Sequence, residues 1–208
     1  MSEVPQHATI AVVLAAGAST RLGRPKQALQ FGGQSLLEHV VNSALESEIG
    51  MAIVVVGANA ELCRSLLRSI PVVVEFNANW QAGVSSSIAV GLDVVDRFEE
   101  DTGVAFESVV FLTCDQPFLS SDLLNEMVKA YHAEPASIVA CEYGGTLGVP
   151  ALFSRKYYGE LRKLRGDRGA RSLIVRHAED VVSVPFPNGQ VDIDIESDLH
   201  LFEALSGQ

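Results

Sequence analysis

The sequence predicts an α/β fold, a mostly parallel sheet with helices on both faces. Three observations carry this. Short β-branched apolar runs alternate with helix-length segments through most of the chain, the pattern of strand–helix–strand units. The runs are continuously apolar rather than alternating apolar and polar, as strands covered on both sides must be. No repeat or low-complexity linker divides the 208 residues, so they form one domain large enough to bury a core.

The first strand is read at residues 9–14, TIAVVL. Ser35 with Glu38 three residues on makes a capping box that opens a helix through about residue 47. The second strand is read at 52–56, with Asn59 placed to cap a helix reaching about residue 68. A third strand at 72–76 leads through a polar turn to a helix over 85–98. The fourth strand is 108–114, SVVFLTC; Ser120 or Ser121 caps the next helix, and 137–141 is another strand.

The pattern loosens at 143–148, YGGTLG, a turn-rich break. Beyond it come a short strand at 150–153, a basic helix, a glycine-marked loop at 165–169 and a second helix. Short strands at 181–184 and 191–193 and a closing helix at 198–205 complete the chain. This less regular part is expected to form a small sub-lobe.

Composition excludes several classes. No apolar run approaches the roughly 20 residues of a membrane span, and the first twenty residues lack a basic start, apolar run and cleavage site. A cytoplasmic, non-membrane protein is expected. Three cysteines, Cys63, Cys114 and Cys141, form no CxxC pair, and five histidines show no metal-ligand spacing, against a disulfide framework or zinc. A net charge of −11 argues against a nucleic-acid partner.

The cations are nevertheless grouped. Of fifteen basic residues, three (Arg21, Arg24, Lys26) lie in a stretch from residue 4 to 37 with no acidic residue, and eight lie between Arg155 and Arg176. Such islands in an acidic protein suit a phosphorylated ligand, or are a solvated helix face.

Open sheets of this kind bind ligands beyond the carboxyl ends of their strands, which selects residues 15–26, 57–59, 77–87 and 115–118. The first of these loops completes the string LAAGASTRLGRPK, residues 14–26. Ala15, Ala16, Gly17, Ala18 and Ser19 are small, so their backbone can approach a ligand and point N–H groups at phosphate oxygens. Arg21 and Lys26 then supply positive charge. Neither GxxxxGK[ST] nor GxGxxG is present; on composition alone the loop is equally a tight turn.

As a string, LAAGxSxRxGxxK resembles the signature of the MobA-like nucleotidyltransferases, the group related to molybdenum-cofactor nucleotide synthesis. The resemblance continues in order through NANWQAGVSSSIAVG (77–91), TCDQPF (113–118), GVPALF (148–153), GDRGAR (166–171) and VDIDIESDL (191–199). It implies a Rossmann-like sheet of the nucleotide-diphospho-sugar-transferase kind. The nucleotide-binding half would be about 8–118 and the acceptor-side part about 119–208, where the small sub-lobe would lie. LAAG rather than LAGG, CDQP and the GDRGAR loop look most like the cytidylyl branch, which implies CTP and molybdopterin or its molybdenum-bound form as substrates. A molybdenum hydroxylase would then receive the product.

The resemblance also assigns roles. Leu14, Ala15, Ala16, Gly17, Ser19, Arg21, Lys26, Asn77, Gly83, Ser86, Ser87 and Asp115 would hold the nucleotide, with Arg21, Lys26 and Asp115 catalytic. Gln116, Asp167, Arg168 and Arg171 would face the acceptor. Asp115, after a buried strand, would share Mg2+ with Asp194, since Mg2+ takes one or two carboxylates plus phosphate oxygens and water. By local chemistry alone a helix cap or turn role for Asp115 is favoured over a metal ligand, and the resemblance reverses this; Asp192 competes with Asp194. Trp80, the lone tryptophan, packs over the loop or in the core. Competing functions are transfer to another phosphorylated acceptor, such as a sugar or polyol phosphate, a non-catalytic accessory role for a molybdenum hydroxylase, and nicotinamide-dependent redox chemistry. The missing GxGxxG and the basic loop count against the last.

Overall fold

The structure, a computed structural model, describes residues 8–133 and 137–191. Its centre is a seven-stranded sheet in the order β5-β4-β1-β6-β8-β7-β9. The strands are β1 (Ala8–Ala15), β4 (Ala52–Val56), β5 (Val73–Phe76), β6 (Phe106–Thr113), β7 (Ile138–Tyr143), β8 (Thr146–Ser154) and β9 (Val181–Pro185). Pairing is parallel except at β8, which runs against both β6 and β7. A small hairpin of β2 (Gln30–Phe31) and β3 (Gln34–Ser35) stands apart.

Alternate residues of the central strands enter separate cores, which explains the unbroken apolar runs. Ala11, Val13 and Ala15 of β1, Val54 of β4 and Leu112 of β6 pack with Leu37, Val40 and Val41 of α1 (Leu36–Leu45), Cys63 of α2 (Ala60–Leu66) and Leu124 and Met127 of α4 (Ser121–Ala133). Ile10, Val12, Val55 and Phe111 pack on the opposite face with Ile88 and Leu92 of α3 (Val84–Thr102), Leu161 of α5 (Tyr158–Leu161) and Leu173 of α6 (Arg171–Arg176). Three layers result.

The longest helix, α3, lies close to the sheet at Gly91, where an added Cβ would sit 2.5 Å from Val12 Cγ1. A Gly91→Ala variant should therefore be destabilised by about 1–3 kcal/mol of overpacking, outweighing the roughly 1 kcal/mol that alanine adds to helix propensity. A urea melt of the purified variant measures this, and a rise in stability would contradict the close packing.

The structure bears out some local expectations and corrects others. The Ser35–Glu38 capping box is formed in full, and Ser120, not Ser121, caps α4 through the Leu123 N–H. Asn59 stands before α2 but makes no side-chain cap; its amide reaches the Gly17 carbonyl instead, at 3.4 Å. The strand read at 150–153 is the end of the nine-residue β8. The 143–148 break is its hairpin with β7, turning through Gly144 and Gly145, both at positive φ. β8 and β9 thus extend the central sheet. The closing helix at 198–205, and all but residue 191 of the strand at 191–193, lie outside the described residues, as do Asp192 and Asp194.

Candidate active site

Of the four loops that follow β1, β4, β5 and β6, the first, third and fourth line an open cleft of about 450 Å3. Its lining includes Leu14, Ala16, Gly17, Ala18, Thr20, Lys26 and Gln27 from the first loop and turn. Trp80, Gln81, Gly83, Val84 and Ser87 come from the third. Thr113, Cys114 and Asp115 come from the end of β6, and Asp167 from the glycine-marked loop.

One ion pair stands out. Lys26 Nζ donates to Asp115 Oδ2 at 2.7 Å, although the residues are 89 positions apart. Their side chains keep 15% and 22% of their exposure, so both charges are partly desolvated yet open to a ligand. Ser19, at φ 53, supports this arrangement: its hydroxyl accepts the Lys26 N–H at 3.1 Å. Asp115 engages Lys26 here and caps no helix.

Buried amides tie the loops together. Gln27 Nε2 donates to the carbonyls of Ala15 and Gly17 at 3.1 and 3.0 Å. Asn77 Nδ2 reaches the hydroxyls of Ser86 and Ser87 at 2.8 and 3.0 Å, while its Oδ1 accepts the Asn79 N–H. Gln116 Nε2 bonds the carbonyls of Val149 and Gly189. Gln27 and Gln116 thereby join segments distant in the chain, and Asn77 closes the loop between β5 and α3.

The third loop and the glycine-marked loop touch at α3. The Gly166 carbonyl accepts the Ser85 N–H at 3.2 Å, satisfying a first-turn donor. A Cβ on Gly83, which sits at φ +96, would lie 2.4 Å from the Gly166 carbonyl group and 2.8 Å from Asp167 Oδ1. Only glycine fits there. Gly57 likewise has Ala16 O and Trp80 Cβ each 2.7 Å from where its Cβ would be, so Trp80 forms a wall beside the first loop.

Of the residues read from sequence, Leu14, Ala16, Gly17, Lys26, Gly83, Ser87, Asp115 and Asp167 converge on the cleft. Ala15, Asn77 and Gln116 are buried scaffold. The Ser86 hydroxyl is used internally, donating to backbone carbonyls at Asn79 and Gly83. Arg21 lies exposed on the turn outside the lining. Arg168 and Arg171 are exposed and also outside it, and Arg171 Nη2 donates to Thr146 Oγ1 at 2.5 Å.

Half of the second basic island braces the surface: four of its eight cations pair with carboxylates. Arg155 forks onto Glu99, Arg162 reaches Asp93 and Asp96, Lys156 holds Asp180, and Arg176 holds Glu160. These contacts fasten the segment after β8 to α3 and the start of β9. Sequence reading missed Gln27 as a site residue, since nothing local separates a buried loop glutamine from a surface one.

Cysteine chemistry is absent here. Cys114 touches the cleft, but burial pushes its thiol well above the usual range. Cys63 and Cys141 are raised to about 11 and about 12 by burial. All three stay protonated near neutrality and none is an activated nucleophile. Among the described residues no three His, Cys, Asp or Glu gather to hold a metal ion by themselves, and no helix is long and apolar enough to cross a membrane.

Comparison with known proteins decides the family. Residues 11–181 match the model of the MobA-like NTP transferase domain. The chain belongs to this family. The purine catabolism protein PucB of Bacillus subtilis is 29% identical over 170 residues, 79% of this chain and 80% of that one. The molybdenum cofactor guanylyltransferase of Rhizobium leguminosarum is 27% identical over 85% of this chain and 78% of its own. Nicotine blue oxidoreductase of Paenarthrobacter nicotinovorans is 30% identical over 69% and 66%. The crystal structure of Rv0371c from Mycobacterium tuberculosis superposes with a TM-score of 0.78, at 26% identity, over 98% of this chain and all of that one. That protein has also been crystallised in complex with manganese.

Proposed function

We propose that this MobA-like transferase moves CMP from CTP to the terminal phosphate of molybdopterin, releasing pyrophosphate. The observation that carries the transferase reading is the Lys26–Asp115 pair, set in an open cleft lined by a small-residue loop at the carboxyl ends of β1 and β6. A cation beside a carboxylate suits a polyanion that arrives with a divalent metal. Asp115 offers hard carboxylate oxygen to the cleft, which fits Mg2+ when substrate phosphates and water complete the shell. Asp194 is proposed as the second ligand. The bound metal would supply charge neutralisation on the phosphates.

The chain's own residues do the rest. Small residues at 16–18 let the backbone approach the triphosphate, and Lys26 exchanges its contact with Asp115 for phosphate oxygen. Orientation brings the acceptor phosphate oxygen in line with the α-phosphorus. A new P–O bond forms there as the α–β bridging bond breaks, and pyrophosphate carries away the electron pair. The acceptor is already anionic, so no strong general base is needed. Asp167, which lines the same cleft, faces the acceptor in this scheme, and the product would pass to a molybdenum hydroxylase.

Incubation with each NTP, Mg2+ and purified molybdopterin, with the product identified by mass, tests the reading. CTP should be preferred over GTP and ATP, because Ala16 stands where the guanylyl branch carries glycine and it contributes to the cleft wall. A preference for GTP of about tenfold, roughly 1.4 kcal/mol, would reverse the base assignment and leave the transferase class intact.

A further inference from the structure

The loop after β1 has three consecutive carbonyls held by donors from the protein. Ala15 O and Gly17 O both accept from Gln27 Nε2. Ala16 O accepts the Ala58 N–H at 3.1 Å. Asn59 adds a longer contact to Gly17 O. In a planar trans peptide the carbonyl of one residue points opposite to the N–H of the next. Fixing carbonyls 15, 16 and 17 therefore turns the N–H groups of Ala16, Gly17 and Ala18 away from the groups that hold them. Those three residues line the cleft.

Gln27 is at the centre of this arrangement. It follows Lys26 directly in a single 3-10 turn, Lys26–Ala28, so one turn sends an ammonium to Asp115 and a carboxamide under the loop. The side chain is 1% exposed, and its Oε1 is buried with no partner among the described residues. A buried acceptor left unsatisfied costs stability. Packing alone would be better served by methionine or leucine, so the amide's value lies in its two donated bonds.

We propose that Gln27 is a positioning residue for polyphosphate recognition. Its carboxamide sets the loop so that successive backbone N–H groups face the cleft and form an anion cradle. It touches no reacting atom and acts through the backbone of residues 15–18. The assignment of polyphosphate as the ligand rests on the transferase reading above.

Two measurements test this. In wild-type protein the Gln27 side-chain N–H protons, followed by 15N NMR, should exchange with solvent slowly; exchange at the rate of a free glutamine overturns the clamp. Gln27→Met keeps the volume and removes both donors. Calorimetric titration with inorganic tripolyphosphate should then show affinity lower by about tenfold or more, the scale seen when groups that orient a binding shell are removed. A packing role alone would lower the melting temperature and leave the affinity of the folded variant unchanged, and that result overturns the proposal. Should wild type bind tripolyphosphate, Gln27→Met bind it weakly, and wild type transfer no nucleotide, the clamp stands and the transferase reading falls. Wild-type transfer together with unchanged Gln27→Met affinity removes the clamp alone.

Discussion

Asp115→Asn should abolish most turnover while leaving the fold in place. Asparagine keeps the size of aspartate and can still accept a hydrogen bond from Lys26 Nζ, which now sits 2.7 Å from the carboxylate. What disappears is the negative charge that would hold a divalent cation on the triphosphate. A loss of about 10²–10³-fold in kcat is expected, the scale of removing one preorganised electrostatic contact. The stability change should stay within about 1 kcal/mol, because the amide oxygen keeps the hydrogen bond to Lys26 and the substitution removes a partly desolvated carboxylate from the cleft. For a chain of this size that is about 2–4 °C in Tm. Turnover and melting temperature measured on one preparation, with and without Mg2+, check both parts. An active variant with unchanged metal dependence would remove the centre of the proposed site.

Lys26→Ala should reduce kcat/KM by about 2–4 kcal/mol, roughly 30- to 1,000-fold, since an ammonium placed on the phosphates is lost. The fold should persist, because the Lys26 contact to Ser19 is made by the backbone N–H and survives the substitution. The double variant with Asp115→Asn is informative. If the two side chains act on one bound triphosphate, their effects will fall short of additive by about 0.5–3 kcal/mol. Steady-state kinetics with CTP and acceptor supply all the terms. An unchanged kcat/KM in Lys26→Ala would make the loop structural only.

What the sequence shows well is whatever is local. Both halves of the Ser35–Glu38 capping box lie within four residues, and the structure forms it completely. The strand runs were legible because both sheet faces are covered, so no polar alternation obscured them. Strand β8 was only half read. Its first residues lie in the glycine-rich turn YGGTLG, and its ladder depends on β6 and β7 plus a register shift beside Cys141 that no local pattern encodes. Asn59 was read as a cap from residue type, but its backbone, at φ −112 and ψ 36, does not present the side chain to α2.

The same divide runs through the site. Lys26 and Asp115 were readable from motif resemblance, and the fold brings them together. The ion pairs of the second basic island could not be read, because its acidic partners on α3, Asp93, Asp96 and Glu99, lie some sixty residues earlier in the chain. Counting charge along a window cannot see them. Gln27 and Gln116 act by reaching across loops, so their weight emerges only once the sheet has set those loops side by side.

The direction of the sheet has a further consequence, for how the chain tolerates change. Apart from Asp167, every cleft residue lies at the carboxyl end of a strand or in the loop and helix start just beyond it. The connections at the other end, 46–51 between α1 and β4 and 103–105 between α3 and β6, contribute nothing to the cleft. The second leaves α3 through Gly103 in a left-handed conformation, with Thr102 and Ala105 exposed and Val104 half-buried. Lineages can lengthen or reshape that end, or add a binding partner there, without disturbing the phosphate loop. Insertions at the carboxyl end must instead preserve the contacts of Gly57 and Gly83, where no room exists for one additional carbon atom.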